Sequence, residues 1–522
     1  MPAILVADSL ADDGLRRLRQ AGEVEVRTGL TEAQLVEAIP AFDALVVRSA
    51  TKVGEKVLEA GRRLRVVGRA GVGVDNIDID AATRRGILVV NAPRGNITAA
   101  AEHTIGLLLA VARWIPQADA SVRRGEWQRA RFTGVEIRGK TLGIVGLGNI
   151  GTEVAKRAQG LEMDVIAFDP VVPQERAEQF NVELVGLEEL LGRADFITVH
   201  APLTEKTRGL IGPRQLAQMK PGSRLVNAAR GGIVDEAALA AALAKGQLAA
   251  AAADVFEEEP VSAGNPLLQL PNFIATPHIA ASTEEAQTSV AFDVAEEVAA
   301  VLNGELPRYS VNAPAVAPEE LAFLKPFGEL AERLGSLYVQ LVGGRVADLE
   351  LDFEGEVGER DVALLTAAAI RGLLAPFTEE RINTVNARLL ASGRGIKLSE
   401  RRTPKSDSSY PSLVSLRVGG FEVAGTVLFG EPRVIRIEAF RVDLVPEGRF
   451  LVSRHADRPG VVGRFGTILG GHDINIASMQ VGRDAPRGRA LMILQVDDPV
   501  GADVLEELRG VPGMADLRYV EL

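Results

Sequence analysis

The stretch Leu142-Gly143-Ile144-Val145-Gly146-Leu147-Gly148-Asn149-Ile150-Gly151 decides how this chain folds. Its first four residues read as a buried strand, the glycines follow at once, and Thr152 to Gln159 continues as a helix. Gly146 permits a tight turn, Gly148 lets backbone approach a pyrophosphate, and Gly151 lets helix and strand pack closely. With Asn149 and Ile150, the helix start offers free N–H groups and a positive dipole end to phosphates. A second strand, Met163 to Phe168, ends at Asp169, near the expected interval of about 20 residues past the glycines. A carboxylate there accepts hydrogen bonds from the adenosine ribose and repels a 2'-phosphate, so NAD is expected rather than NADP.

Working outward, the first hundred residues already alternate short β-branched runs with amphipathic segments. Strands are expected at Ile4 to Ala7, Val24 to Arg27, Ala44 to Val47, Val66 to Gly68 and Leu88 to Val90, with helices at Asp12 to Gln20 and Thr31 to Ala38. An Ala- and Leu-rich helix, Thr98 to Arg113, leads into the second strand–helix series, which runs from Lys140 to about Thr276. Because that series begins in mid-chain, the nucleotide-binding unit reads as an insertion, with a helix near Glu284 to Leu302 returning to the first unit. Two crossings then join two lobes around a cleft.

Beyond Asn303-Gly304 and the proline-bearing Val311 to Pro318, the pattern becomes α+β. Strands are expected at Leu349 to Phe353, Leu413 to Val418, Glu422 to Leu428 and Arg433 to Ala439, with a helix at Val362 to Leu374. A βαββαβ unit closes the chain from Phe450 to Leu522. The expected class is α/β: a Rossmann-type NAD domain (99–284) inserted in a flavodoxin-like substrate domain (1–98 and 285–310), then an α+β intervening domain (311–448) and a ferredoxin-like domain (449–522).

A chain of 522 residues supports roughly three or four domains. Its net charge of -12 opposes binding to nucleic acid. The absence of cysteine removes disulfides, thiolate metal sites and a cysteine nucleophile together, and fits a cytoplasmic location. Met1 to Asp8 reads as a first strand rather than a secretion signal, and no apolar run reaches the length of a membrane span. The histidines lack the pairing with carboxylates that a metal site needs, so no metal is expected.

Three segments place polar groups where strands of the second series end: Val226 to Gly232, Asp254 to Pro260 and Thr276 to Ala280. Oxidising an alcohol by hydride loss needs a base for the hydroxyl proton and a cation beside the developing carbonyl or its neighbouring carboxylate. His278 suits the first role with Glu259 as its partner, and Arg230 suits the second. Glu257 and Glu258 compete with Glu259 on spacing alone. The other histidines read blandly: His103 in helix capping or packing, His200 in a cofactor-side or purely structural role, His455 and His472 in the last unit, far along the chain from the chemistry.

These segments, with Arg69-Ala70-Gly71-Val72-Gly73-Val74-Asp75-Asn76 and the glycine fingerprint, resemble the D-isomer-specific 2-hydroxyacid dehydrogenases. Within them the chain is similar to the long-form D-3-phosphoglycerate dehydrogenases. The resemblance implies that Arg230, Glu259 and His278 are catalytic. It also implies that Ala201, Ala228, Asp254 and Ala281, with Arg230 and His278, line the cofactor. Val47 to Val53 and Asn91 to Asn96 carry the substrate likeness. Arg48 and Ser49, with Arg69 and Asn96, are expected to meet a phosphate, while N–H groups of Gly71, Val72 and Gly73 hold a carboxylate. Trp127-Gln128-Arg129 looks like the segment that places an arginine across a dimer interface. The implied substrate is 3-phosphoglycerate and the implied assembly a homotetramer.

The last unit, through His455 to Val461 and Asp473 to Ile476, resembles the ACT domain, a module that pairs edge to edge and binds an amino acid between copies. Asp457, Gly460 and Asn475 are the positions that carry over, with L-serine as the implied effector. Arg401, Arg402 and Lys405 could meet an anion, but a solvated loop is the preferred reading of that cluster. Two other functions fit the same motifs: a dehydrogenase of another D-2-hydroxy acid, such as glycerate or lactate, and a dinucleotide-sensing binding protein without turnover.

Overall fold

The computed structural model describes residues 1–314, 318–343, 346–378, 382–405 and 409–522. Its first sheet consists of β1 (Ala3–Val6), β2 (Glu23–Val26), β3 (Ala44–Val47), β4 (Val66–Arg69) and β5 (Leu88–Asn91), in the order β2-β1-β3-β4-β5 with every pair parallel. β1, β3, β4 and β5 are buried on both faces, which is why they read as unbroken apolar runs, whereas the edge strand β2 alternates with exposed glutamates. One face packs on Leu35, Val57 and Leu58. The other packs on Val290, Val294 and Val298 of the helix Glu284–Leu302, which comes from much later in the chain.

The second sheet is β6 (Thr141–Val145), β7 (Asp164–Phe168), β8 (Glu183–Leu184), β9 (Phe196–Val199), β10 (Arg224–Asn227), β11 (Ala250–Ala253) and β12 (Phe273–Ala275). Its order β12-β11-β10-β9-β6-β7-β8 is parallel throughout, and the strand order reverses between β6 and β9. Ligands of such sheets bind outside the carboxyl ends at that reversal. The long helix Ile97–Arg113 lies on this sheet through Ala101, Leu108 and Val111, so it crosses from one lobe to the other.

The third sheet is mixed: β13 (Asp348–Gly355), β14 (Lys397–Thr403), β15 (Ser412–Val418), β16 (Phe421–Leu428), β17 (Glu431–Ile437) and β18 (Phe440–Leu444), in the order β14-β13-β15-β16-β17-β18. Two expectations fail here. Arg401 and Arg402 lie on β14 rather than in a solvated loop: this polar edge strand pairs with β13, and Arg401 grips the buried Asp352 through two hydrogen bonds of 3.0 and 2.8 Å. Lys405 follows the strand and is exposed. The strand expected over Arg433 to Ala439 ends at Ile437, because Glu438 turns with a left-handed φ of 52° and β18 folds back.

The last sheet, β19 (Arg449–Ala456), β20 (Ile476–Arg483), β21 (Arg489–Val496) and β22 (Met514–Glu521), is antiparallel in the order β20-β21-β19-β22, the ferredoxin-like arrangement. Phe450, Val452, Leu491 and Ile493 join the core of the preceding domain, while the other face covers its own helices. Among the described residues no helix is long and apolar enough to cross a membrane.

Candidate active site

The carboxyl ends of both parallel sheets face one cleft of about 180 Å³. Arg48, Ser49, Arg69, Gly71, Val72, Gly73 and Asn96 line it from the first lobe, and Ile150, Ala228, Arg230, His278 and Ala281 from the second. The chain thus brings all seven expected substrate residues to one cleft, facing the wall that carries His278. Glu259 stands behind that wall.

His278 Nδ1 lies 2.7 Å from Glu259 Oε2. An ionised carboxylate only accepts, so the imidazole donates from Nδ1 and keeps the Nε2 lone pair for a substrate proton. Glu259 is itself held, its Oε1 accepting from the Phe256 N–H at 3.0 Å. Burial pushes the Glu259 carboxyl up, but the His278 and Phe256 hydrogen bonds outweigh it and leave the group below its usual range. Glu257 instead accepts from the Glu236 N–H, and this geometry separates the neighbouring glutamates where spacing alone does not.

His278 has a φ of 53°, the left-handed region that non-glycine residues seldom occupy. What fixes the turn is Asp254, fully buried at the end of β11. Its carbonyl accepts from the His278 N–H at 2.8 Å. Its carboxylate accepts from the N–H groups of Ile279 and Ala280 at 2.9 and 2.8 Å and from Thr276 Oγ1 at 2.6 Å. His103 Nε2 completes the cluster, 3.3 Å from Asp254 and 3.2 Å from Thr276 Oγ1. Burial raises the Asp254 carboxyl, yet these donors bring it below the ordinary value. His103 is therefore part of the scaffold under the catalytic turn, a role that helix packing alone does not describe.

The opposite wall is cationic. Arg69 is buried among Arg230 and Arg48, and burial first, then repulsion by Arg230, lowers its guanidinium to about 10 against the pull of Asp75 and Asp8. Its Nε and the Oδ1 of Asn96 are sealed from solvent with no hydrogen-bond partner among the described residues. Such orphans are uncommon in folded proteins and suit a ligand that supplies the missing groups. Gly71 is obligatory: its φ is 148°, and a Cβ there would sit 1.5 Å from Arg69 Nη1. Arg230 donates from Nε to Asp75 Oδ2 at 3.1 Å and from Nη1 to the Ala229 carbonyl at 2.7 Å. Asp75 lies in a motif quoted above, but its partner comes from a distant strand end, so sequence offered no role for it.

The glycine turn fits a dinucleotide. A Cβ on Gly151 would come 2.1 Å from the Gly146 carbonyl oxygen, so only glycine lets the helix Asn149–Gly160 approach β6 this closely. No side chain caps that helix, and the space in front of Gly148 is open. Its free N–H groups therefore face room for a pyrophosphate. Asp169 ends β7 beside the turn, accepting from the Leu147 N–H at 2.8 Å and from Val171 and Val172. Ala201 follows β9, and its N–H lies 3.0 Å from the Cβ position of Gly146. His200 is bonded through Nε2 to Thr198 at 2.9 Å, while Nδ1 is sealed without a partner among the described residues. Burial lowers this imidazole to about 4, so it is neutral. Among the described residues no group of three or more His, Asp or Glu is arranged to hold a metal.

In the last domain Asp457 accepts from the Arg487 N–H at 3.0 Å and from Arg483 at 3.3 Å, Gly460 opens the helix Val461–Gly471, and Asn475 donates to Asp497 at 2.6 Å. Asp457 bonds next to the start of β21 and Asn475 next to its end. They stand about 25 Å apart within one chain, the length of eight strand residues. Trp127 is three-quarters exposed, with the Arg129 guanidinium 5.5 Å above its ring.

A two-lobed cleft with a dinucleotide turn on one side and a histidine–carboxylate pair opposite arginines defines a nucleotide-dependent dehydrogenase. Comparisons narrow the class. Residues 105–280 match the NAD-binding domain of D-isomer-specific 2-hydroxyacid dehydrogenases, 323–438 the D-3-phosphoglycerate dehydrogenase intervening domain, and 449–513 the ACT domain. D-3-phosphoglycerate dehydrogenases from Archaeoglobus fulgidus and Methanocaldococcus jannaschii are 48% and 47% identical to this chain, covering 99% and 100% of it and the whole of each relative. A D-lactate dehydrogenase structure from Aquifex aeolicus, solved with NAD and lactic acid, is similar at 26% identity and a TM-score of 0.55, over 60% of this chain and all of that one. The chain belongs to the D-3-phosphoglycerate dehydrogenase family, with NAD as its cofactor.

Proposed function

We propose that this enzyme oxidises 3-phospho-D-glycerate to 3-phosphohydroxypyruvate, the first step of L-serine synthesis. The observation that carries the proposal is the 2.7 Å His278–Glu259 pair in one cleft with Arg48, Arg69 and Arg230. A substrate with a carboxylate at one end and a phosphate at the other matches that many cations; a single carboxylate does not need them. Bound NAD supplies the acceptor for the hydride that leaves C2.

The chain supplies everything else. N–H groups of Gly71 to Gly73 and the free Nη2 of Arg230 hold the carboxylate, and Arg48, Arg69 and Asn96 take the phosphate. His278 Nε2 accepts the C2 hydroxyl proton, and Glu259 stabilises the imidazolium that results. Arg230 stabilises negative charge growing on the C2 oxygen. In the reverse direction the same imidazolium returns its proton to the oxo group.

L-serine is the effector, and the functional assembly is a homotetramer in the cytoplasm. The separation of Asp457 from Asn475 supports binding between two ACT domains, each contributing one end of the site. Trp127 and Arg129 belong to a subunit contact. The test is NADH consumption with phosphohydroxypyruvate, hydroxypyruvate, pyruvate and glyoxylate, repeated with serine. The phosphorylated acid should react fastest, and Arg48→Ala should slow that substrate selectively. Equal rates across the panel, or none, would overturn the assignment; turnover unaffected by serine would remove the effector alone.

A further inference from the structure

Arg230 bears more orienting contacts than a simple anion anchor needs. Its Nη1 is bound to the Ala229 carbonyl on its own loop, and its Nε reaches across the cleft to Asp75 on the loop after β4. The fork's remaining nitrogen, Nη2, rests on Gly73, where a Cβ would lie 1.9 Å from it and 2.9 Å from Asp75 Oδ2. Three guanidiniums crowd this small cleft, and Arg230 is the largest charged influence depressing Arg69. Unheld, the long side chain would swing away from the other cations. Asp8, the other carboxylate facing Arg69, is occupied by the N–H groups of Arg48 and Thr51 and the Thr51 hydroxyl.

We propose that Asp75 is a positioning residue: it holds the Arg230 guanidinium so that Nη2 faces the reacting carbon, and it accomplishes this from the opposite lobe. The inference rests on the dehydrogenase reading of the cleft. Asp75 itself is two-thirds exposed and bonds to nothing else among the described residues, so it contributes little to the fold. Its charge also opposes the incoming anion. Removing it therefore separates two effects that a structural role would not: turnover falls while the anion binds as well as before, or better.

The test compares Asp75→Ala and Asp75→Asn with the unaltered enzyme, using whichever 2-oxo acid that enzyme reduces fastest. A wrong substrate assignment thus leaves the comparison intact. Asp75→Ala should lose about tenfold in kcat, the scale of one charge-assisted hydrogen bond, with KM unchanged or lower and NADH affinity and melting temperature unmoved. Asp75→Asn keeps an acceptor for Nε and should retain kcat within about threefold by the same reasoning. A kcat for Asp75→Ala equal to that of the parent enzyme, a rise in KM at unchanged kcat, or an equal loss in both variants would overturn the proposal.

Discussion

Glu259→Gln tests the catalytic pair at its most sensitive point, because the carboxylate has two acceptors and both are in use. One oxygen accepts from His278 Nδ1 and the other from the Phe256 N–H. An amide has a single oxygen. If that oxygen stays with Phe256, the NH2 group confronts Nδ1 and forces the imidazole to carry its proton on Nε2, which then cannot accept one from the substrate. If the amide flips, a backbone N–H loses its acceptor at a cost of about 1–3 kcal/mol. A hydrogen bond to a charged group is worth about 1.5–3 kcal/mol, and the exposure of both side chains, 44% and 37%, favours the lower end. Either outcome is about 1.5 kcal/mol, or roughly tenfold, and the tautomer effect adds to it. Steady-state oxidation of the hydroxy acid should fall about 10- to 100-fold in kcat, with NADH affinity measured by fluorescence unchanged. A variant within threefold of the parent would refute the role given to Glu259.

Three further outcomes follow from other parts of the site. Gly151→Ala drives a methyl into the Gly146 carbonyl, so nucleotide affinity measured by calorimetry should drop at least about tenfold while ACT-domain structure persists. Asp254→Ala strands the Ile279 and Ala280 N–H groups, each at about 1–3 kcal/mol, and should loosen the His278 turn enough to lower kcat about 100-fold or more. His200 is neutral when folded and titrates near 4, against 6.5 for an exposed imidazole. Between those values the unfolded chain binds more protons, so stability declines as pH falls from about 6.5 to about 4, by as much as about 3 kcal/mol. His200→Asn should flatten that part of the curve in denaturant titrations across pH; an unchanged slope would assign it to other groups.

The parallel sheets were legible because most of their strands, the edges β2 and β8 apart, are largely buried and stand out as apolar runs between helical periods. β14 was not, since Lys397 to Thr403 is a polar edge strand whose partner, β13, lies some fifty residues earlier, and periodicity cannot see a pairing. β18 was hidden for a different reason: it lies past the expected run Arg433 to Ala439, beyond a turn made by one left-handed residue, Glu438. At the site, motif chemistry pointed to His278, Glu259 and Arg230, but the choice of Glu259 over its neighbours and the partnership of Arg230 with Asp75 are matters of distance. The scaffold of Asp254, Thr276 and His103 joins three separate segments, and no local spacing announces it.

The claim on which the rest depends is that His278 carries the proton. His278→Gln removes the base, keeps a side chain of similar reach and leaves the glycine turn untouched. Phosphohydroxypyruvate reduction and NADH binding measured side by side on that variant should show unchanged binding and turnover lower by about 100- to 10,000-fold, the span of general acid–base catalysis. Turnover within tenfold of the parent enzyme would contradict the account.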